Sequence, residues 1–241
     1  MNMRNQLCMA AALLLSFSST WAGTVTFSDQ PGTYFSFRNI SETGALVPPS
    51  KLEAPTLVTS PQDTIKFIPS AYVVVENNGP VTETSVLSTQ LALSLESVSG
   101  LALQELSVSV AGTWGSTLYS PSLGSTIVGL TLNLDLVFGG VTRNLVVPVS
   151  QDLVNKTWAG SLTVTQQFLN DNFTVPTAGI LQLGVTATPT VTATATYANA
   201  RSTITYLDIS AKAVPEPGSS SLLLIGAAVM GLARTLRRRV C

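Results

Sequence analysis

Enzyme chemistry at neutral pH usually begins with histidine, and this 241-residue chain has none. Without imidazole there is no Ser-His-Asp or Cys-His nucleophile, no histidine general base and no histidine-ligated zinc or copper. Serine and threonine are plentiful but lack an activating base, and Lys51, Lys66 and Lys156 show no Ser-x-x-Lys spacing. Paired carboxylates remain, because glycoside hydrolysis needs only two. Glu76 and Glu83 flank "NNGP", and Glu96 and Glu105 flank Gly100, so either pair would face across a hairpin if these glycines mark hairpin turns. Solvated charges at strand ends are the simpler reading, and no catalytic residue is assigned. Asn170-Asp171-Asn172, Asp29 and Asp152 offer oxygen ligands to calcium, but calcium wants six to eight oxygens, often from several carboxylates. An Asn/Asp turn is therefore expected at 170–172, with no metal site and no cofactor.

Aromatic residues supply the other chemistry. Trp114 and Trp158, with Tyr119 and the run Tyr34-Phe35-Ser36-Phe37, are candidates for stacking on the apolar face of a sugar. Core packing is the competing fate of a tryptophan in a β-protein. If the stacking role holds, Trp114 or Trp158 lies exposed in a groove.

The elements that must position these residues are strands. Leu130, Leu132, Leu134 and Leu136 alternate with Thr131, Asn133 and Asp135, and Leu91, Leu93 and Leu95 alternate with Ala92 and Ser94. In "LGVTATPTVTATATY", Leu183, Val185, Ala187, Val191, Ala193, Ala195 and Tyr197 share one face, and threonines fill the other. Pro189 predicts an edge position or a break there, since it cannot donate to a ladder. The apolar phase switches between Leu103 and Leu106, predicting a β-bulge near Gln104-Glu105, and slips again at Tyr206-Leu207. Turn signals at "NNGP" (77–80), Gly100, "GTWGS" (112–116), Gly124, Gly139-Gly140, "NDN" (170–172) and Gly179 cut the body into roughly ten to twelve strands. Residues 41–62, with four prolines, read as a long connection holding one short strand. "GTWGS" and "KTWAGS" (156–161) echo each other as a weak sign of duplication. With little helix between the strands, the expected class is all-β: a single antiparallel β-sandwich or jelly-roll-like domain over 23–213.

Composition agrees with that architecture. Hydrophobic residues make up 45% of the chain and charged residues only 10%, so the outer faces must be hydroxyl-rich rather than ionic. Between Gly23 and Ala213 seven Lys or Arg stand against twelve Asp or Glu, a net charge of −5. Such a body offers nucleic acid nothing to hold. Cys8 and Cys241 both lie in the terminal segments, so the body contains no cysteine and must be held without disulfides.

The two ends read as addresses. Residues 1–22 have the form of a signal peptide, with Arg4, an apolar stretch from Leu7 to Phe17, and signal-peptidase cleavage between Ala22 and Gly23. The chain closes with "VPEPGSSSLLLIGAAVMGLARTLRRRVC". Residues 219–236 read as a transmembrane helix, in which Arg234 can snorkel to the interface. The stretch 219–233 would span about 22 Å at ~1.5 Å per residue, a short crossing of a ~30 Å hydrocarbon core. The basic end, 237–241, stays cytoplasmic by the positive-inside rule and leaves the body outside. Two prolines around Glu216 keep the preceding strip extended and open to a processing enzyme.

Val214-Pro215-Glu216-Pro217, the apolar helix with Gly226 and Gly231, and Arg237-Arg238-Arg239 together resemble the PEP-CTERM sorting signal. The resemblance covers 214–241 and departs from the family in the Val240-Cys241 that follows the arginines. It implies a bacterial exported protein cut near the Pro-Glu-Pro motif by an exosortase-type enzyme, resident in the inner membrane during sorting and then at the cell surface or outside the cell. Function is expected to be structural or adhesive, not enzymatic, and associated with exopolysaccharide. A carbohydrate-binding module using exposed aromatics is the alternative, and a carboxylate-based glycan hydrolase a remoter one.

Intact-mass and terminal-peptide analysis of the mature protein from its host is expected to find Gly23 at one end and a terminus near Pro215–Pro217 at the other. Retention of Arg239 and Cys241 would make the tail a lasting anchor instead.

Overall fold

The structure is a computed structural model that describes residues 23–44, 53–60, 62–68, 72–98, 101–173 and 182–213. The predicted signal peptide, the sorting motif and the predicted transmembrane helix lie outside these residues. Among the described residues no helix is long and apolar enough to cross a membrane.

Fourteen strands and one short helix are described: β1 (Gly23–Thr26), β2 (Gln30–Pro31), β3 (Phe35–Gly44), β4 (Thr56–Val58), β5 (Asp63–Phe67), β6 (Tyr72–Asn77), β7 (Glu83–Ser97), β8 (Leu103–Leu118), β9 (Ser125–Phe138), β10 (Val141–Val147), β11 (Val149–Asp152), β12 (Thr157–Thr165), α1 (Gln166–Asn172), β13 (Gln182–Thr196) and β14 (Ala198–Ala213). They form two antiparallel sheets of seven strands, ordered β1-β3-β7-β13-β9-β10 with β2 on β3, and β11-β12-β8-β14-β5-β4 with β6 on β14. Inward-facing side chains of both sheets make one hydrophobic cluster, from Leu91, Leu134 and Val185 in the first to Val108, Ile65 and Ile209 in the second. That is a β-sandwich, as the period-two pattern predicts.

β13 shows how the pattern works. Its buried positions are Leu183, Val185, Ala187, Pro189, Val191, Ala193 and Ala195, and its threonines face out. Cross-strand hydroxyl pairs line that outer face, with Thr84 to Thr194 and Ser88 to Thr190 both at 3.0 Å. Tyr197 departs from the predicted face: it sits at φ 46° in the sharp corner that carries the chain from β13 in one sheet to β14 in the other.

Pro189 is at neither an edge nor a full break. β13 is central, and its ladder with β9 is continuous through Pro189↔Leu132. Pairing with β7 lapses at Thr188 and Pro189 and resumes at Thr190↔Ser88 in the same register. A missing N–H thus costs one local interruption on one side.

The predicted bulge is present. Lys212 pairs with Glu105 and Ala213 with Leu103, leaving Gln104 as the extra residue. The second slip falls one residue earlier than predicted: Ile204↔Gly112 is followed by Tyr206↔Ala111, so Thr205 and Tyr206 both face outward. This bulge also divides the free side of β14 between β6 and β5. Gly139 and Gly140, at φ 57° and 80°, make the two-residue β9–β10 hairpin. "GTWGS", by contrast, is no turn but lies within β8. Residues 41–62 are less of a connection than predicted, since β3 continues to Gly44 and β4 is the short strand. "NDN" closes α1, whose first turn is capped by Thr165 Oγ1 accepting from Phe168 N.

The two sheets are tied by a buried carboxylate. Asp63 points inward from β5, fully buried beside Ile65 and Phe67. Its oxygens accept from the backbone N–H groups of Thr33 (2.9 Å), Tyr34 (2.6 Å) and Phe35 (2.8 Å), where the chain enters β3 of the opposite sheet. Gly32 completes the cradle, because a Cβ there would lie 2.6 Å from Asp63 Cγ and 2.3 Å from Phe35 O. Replacing Asp63 with alanine strands three donors, of which Phe35 N–H is buried and those of Thr33 and Tyr34 part-buried. Asp63→Ala is expected to lose about 3 kcal/mol or more of unfolding free energy in denaturant titrations, and Gly32→Ala to be similarly damaging. Wild-type midpoints for both variants would remove the tie from this account.

Candidate functional site

The two indoles meet, but inside. β8 and β12 are neighbours with Thr113 opposite Thr157, which places the echoing "GTWGS" and "KTWAGS" side by side. The rings of Trp114 and Trp158 lie 6.3 Å apart at 52°. Trp158 is buried at 4% exposure, Trp114 is half-buried against the core, and neither indole N–H has an acceptor among the described residues. Gly112 makes room for this packing, since a Cβ would come within 2.8 Å of Trp158 Cδ1 and 2.1 Å of Thr203 O. The exposed tryptophan groove expected from the sequence is therefore replaced by a core contact. Phe35 and Phe37 are likewise core residues, while Tyr34 and Tyr119 stay partly exposed.

Neither carboxylate pair faces across a hairpin. β6 and β7 belong to different sheets, as do β7 and β8, so each pair is divided by a change of layer. Glu76 accepts from Asn199 Nδ2 at 2.9 Å, Glu96 is ion-paired with Arg38, and Glu105 accepts from Ser107 at 3.0 Å. Asp29 accepts from Asn39 N, and Asp152 binds the amides of Val154 and Asn155 in a surface turn. The Asn155 backbone contact, with the Asn155 side chain and the Val154 amide, holds the Asp152 carboxyl below its usual range. Among the described residues no three His, Cys, Asp or Glu side chains gather as a metal site.

What the structure does build is a trough of about 550 Å³ on the outer face of the second sheet. Tyr206, 39% exposed, forms one wall on β14, and Pro148–Ser150 at the start of β11 form the other. Between them run Ser109 of β8 and Ala159–Ser161 of β12. Side chains this small on two adjacent strands lie lower than the tyrosine, and the depression follows from that difference in height. No carboxylate, lysine or arginine lines it. Nearby outward hydroxyls pair across the strands, with Thr113 to Thr203 at 2.7 Å and Thr64 to Ser210 at 2.8 Å. Tyr206 was legible as a phase slip in the sequence, but the slip does not reveal which of two adjacent residues will stand over a trough.

Two residues from Tyr206, Asp208 pairs with Lys66 at 3.8 Å. Its carboxyl is mostly covered, and loss of solvent raises its pKa against the opposing pull of Lys66.

Comparison with known proteins bears on the tail. Residues 213–239 match the family described as the PEP-CTERM protein-sorting motif, as the Pro-Glu-Pro, apolar and arginine pattern predicts. The motif implies an exported protein that is processed by an exosortase and is at the membrane transiently. No curated protein matches the chain. Among solved structures, the carbohydrate-binding module TmCBM61 in complex with β-1,4-galactotriose is similar over 68% of this chain and 88% of its own, with 10% identity and a TM-score of 0.29. A likeness that distant gives no argument about a ligand.

Two expectations follow from this geometry. Trp158→Ala should cost about 3–5 kcal/mol in denaturant unfolding, as for a core aromatic, where a surface platform would cost almost nothing. A carboxyl with a raised pKa contributes stability below its ordinary value and loses that contribution as pH rises through the raised one. Asp208→Asn should therefore melt above wild type at neutral pH, with the gap closing on acidification; a constant gap would contradict the desolvation of Asp208.

Proposed function

We propose that this exported, PEP-CTERM-sorted protein is a non-catalytic adhesive component of the cell surface or extracellular matrix. Its mature body holds exopolysaccharide on the outer face of the second sheet. The observation that supports this reading is the trough beside Tyr206. A half-exposed aromatic ring next to a floor of small residues and hydroxyls suits the apolar face and hydroxyl edges of a sugar. The absence of acid or base groups from the lining favours holding a glycan over cutting it. Glu76, Glu96 and Glu105 are engaged elsewhere, and a layer crossing divides Glu76 from Glu83 and Glu96 from Glu105.

Partners of this reading are signal peptidase, the exosortase and exopolysaccharide, with the inner membrane occupied during sorting. Export without disulfides suits a body whose layers are joined by packing and by Asp63.

Affinity electrophoresis of residues 23–213 in exopolysaccharide purified from the host should show retardation that Tyr206→Ala weakens about tenfold, as for an aromatic contact near the centre of a site. The variant should melt within a few tenths of a kcal/mol of wild type, since Tyr206 lies outside the core. Unchanged retardation in Tyr206→Ala, or release of reducing ends from the glycan, would overturn the proposal.

A further inference from the structure

Six residues along β8 from Ser109, the same outer face carries a second depression, about 390 Å³, centred on Gly115. Gly115 faces outward like Ser109, and a Cβ built there would meet nothing within 4 Å, so the absence of a side chain leaves the floor of the depression open. Its rim is made by Arg201 and Asn199 of β14, Glu76 and Val74 of β6, and Lys156. Glu76 is engaged by Asn199 Nδ2. Arg201 and Lys156 are exposed and take no part in the ion pairs of the described residues, which join Arg38 to Glu96 and Lys66 to Asp208.

Lys156 is also held in a costly conformation. Its φ is 55°, in the left-handed region, and its carbonyl accepts from Trp114 N at 2.9 Å. The backbone N–H of Trp114 thereby holds the turn that brings this lysine to the rim. Two cations against one carboxylate leave the lining of the notch a net charge of +1 on a body of net charge −5.

We infer that the notch binds an oxyanion, carboxylate or sulfate, carried by an acidic polysaccharide that continues along this face from the trough at Tyr206. The inference rests on the glycan-holding role proposed above and assigns the class of glycan. Arg201 supplies a planar fork that matches a carboxylate, Lys156 adds a second charge, and the Glu76–Asn199 pair is left to meet sugar hydroxyls. Tyr206 and Arg201 are five residues apart on β14, about 15 Å at the usual rise, so one chain of several sugar units reaches both.

The test measures binding of residues 23–213 to matched neutral, uronate and sulfated oligosaccharides of mannose, glucose and galactose, with poly-glutamate as the non-glycan anion. Uronate or sulfated forms should bind about fivefold more tightly than their neutral counterparts, the scale of two exposed charge contacts, and more weakly with added salt. Arg201→Gln should bring them to within about twofold of the neutral level, the remainder being the Lys156 contact, and Gly115→Leu, whose Cβ meets nothing within 4 Å and whose side chain occupies the notch, should remove the preference. Arg143→Gln, which removes the same charge from β10 in the other sheet, should leave the preference intact. The better of the uronate and sulfated forms identifies the oxyanion. Neutral binding with no preference, a preference untouched by Arg201→Gln, or equal binding of poly-glutamate would overturn the notch while leaving the trough standing. Anionic binding that needs Arg201 but survives Tyr206→Ala would keep the notch and remove the trough.

Discussion

Asp63 is the contact on which the layers of this sandwich depend. A bare carboxylate between two sheets would carry a desolvation cost of several kcal/mol. Here the charge is met by three backbone donors from the loop that opens β3, and the acceptor belongs to β5 in the facing sheet. The bond set therefore fixes one layer against the other at a defined point. Hydrophobic packing, which is indifferent to small sliding, cannot do that alone. A body with no cysteine has special need of such a tie. Gly32 shows how closely the cradle is fitted, because even one methyl group would strike the carboxylate.

Fixing the layers fixes the outer face of the second sheet. Register along β12, β8 and β14 sets Ser109, Ser161 and Ala159 beneath the level of Tyr206, and Gly115 beneath Arg201. Threonines and serines bond one another across β7 and β13 on the face of the first sheet, as Thr113–Thr203 and Thr64–Ser210 do on the second. To its hydroxyl pairs the second sheet adds the trough at Tyr206 and the charged notch at Gly115, which composition alone conceals. The glycan-holding role proposed above rests on those two features of the second sheet.

Much of the fold was legible because period two survives averaging: the leucines of β7 and β9 and the Thr/Ala alternation of β13 each bury the face they predict. Even the bulge at Gln104 was readable, since a change of phase in the apolar set has few other causes. Pro189 was misplaced because a strand needs its N–H on one side only, and which side is a property of the sheet. Glycines misled where close approach, not turning, required them: Gly112 yields to Trp158 and Thr203 O within β8. The carboxylate pairs failed for a topological reason, because β6, β7 and β8 alternate between layers and a turn signal does not say whether the chain returns to the same sheet. The candidate site was the least legible part. Trp114 and Trp158 attract notice as residue types, whereas the trough arises from small residues on adjacent strands, and a depression is a relation between neighbours that no single stretch of sequence displays.

The central claim is that ligand contact belongs to the outer face of the second sheet. Chemical-shift mapping by NMR on isotope-labelled residues 23–213, titrated with oligosaccharides from the host's exopolysaccharide, tests it most directly. The account predicts that the largest perturbations fall on outward positions of β8, β12 and β14, between Tyr206 and Arg201, with the amides of β7 and β13 unmoved. Perturbations centred on the threonine face of the first sheet, or none at saturating oligosaccharide, would contradict it.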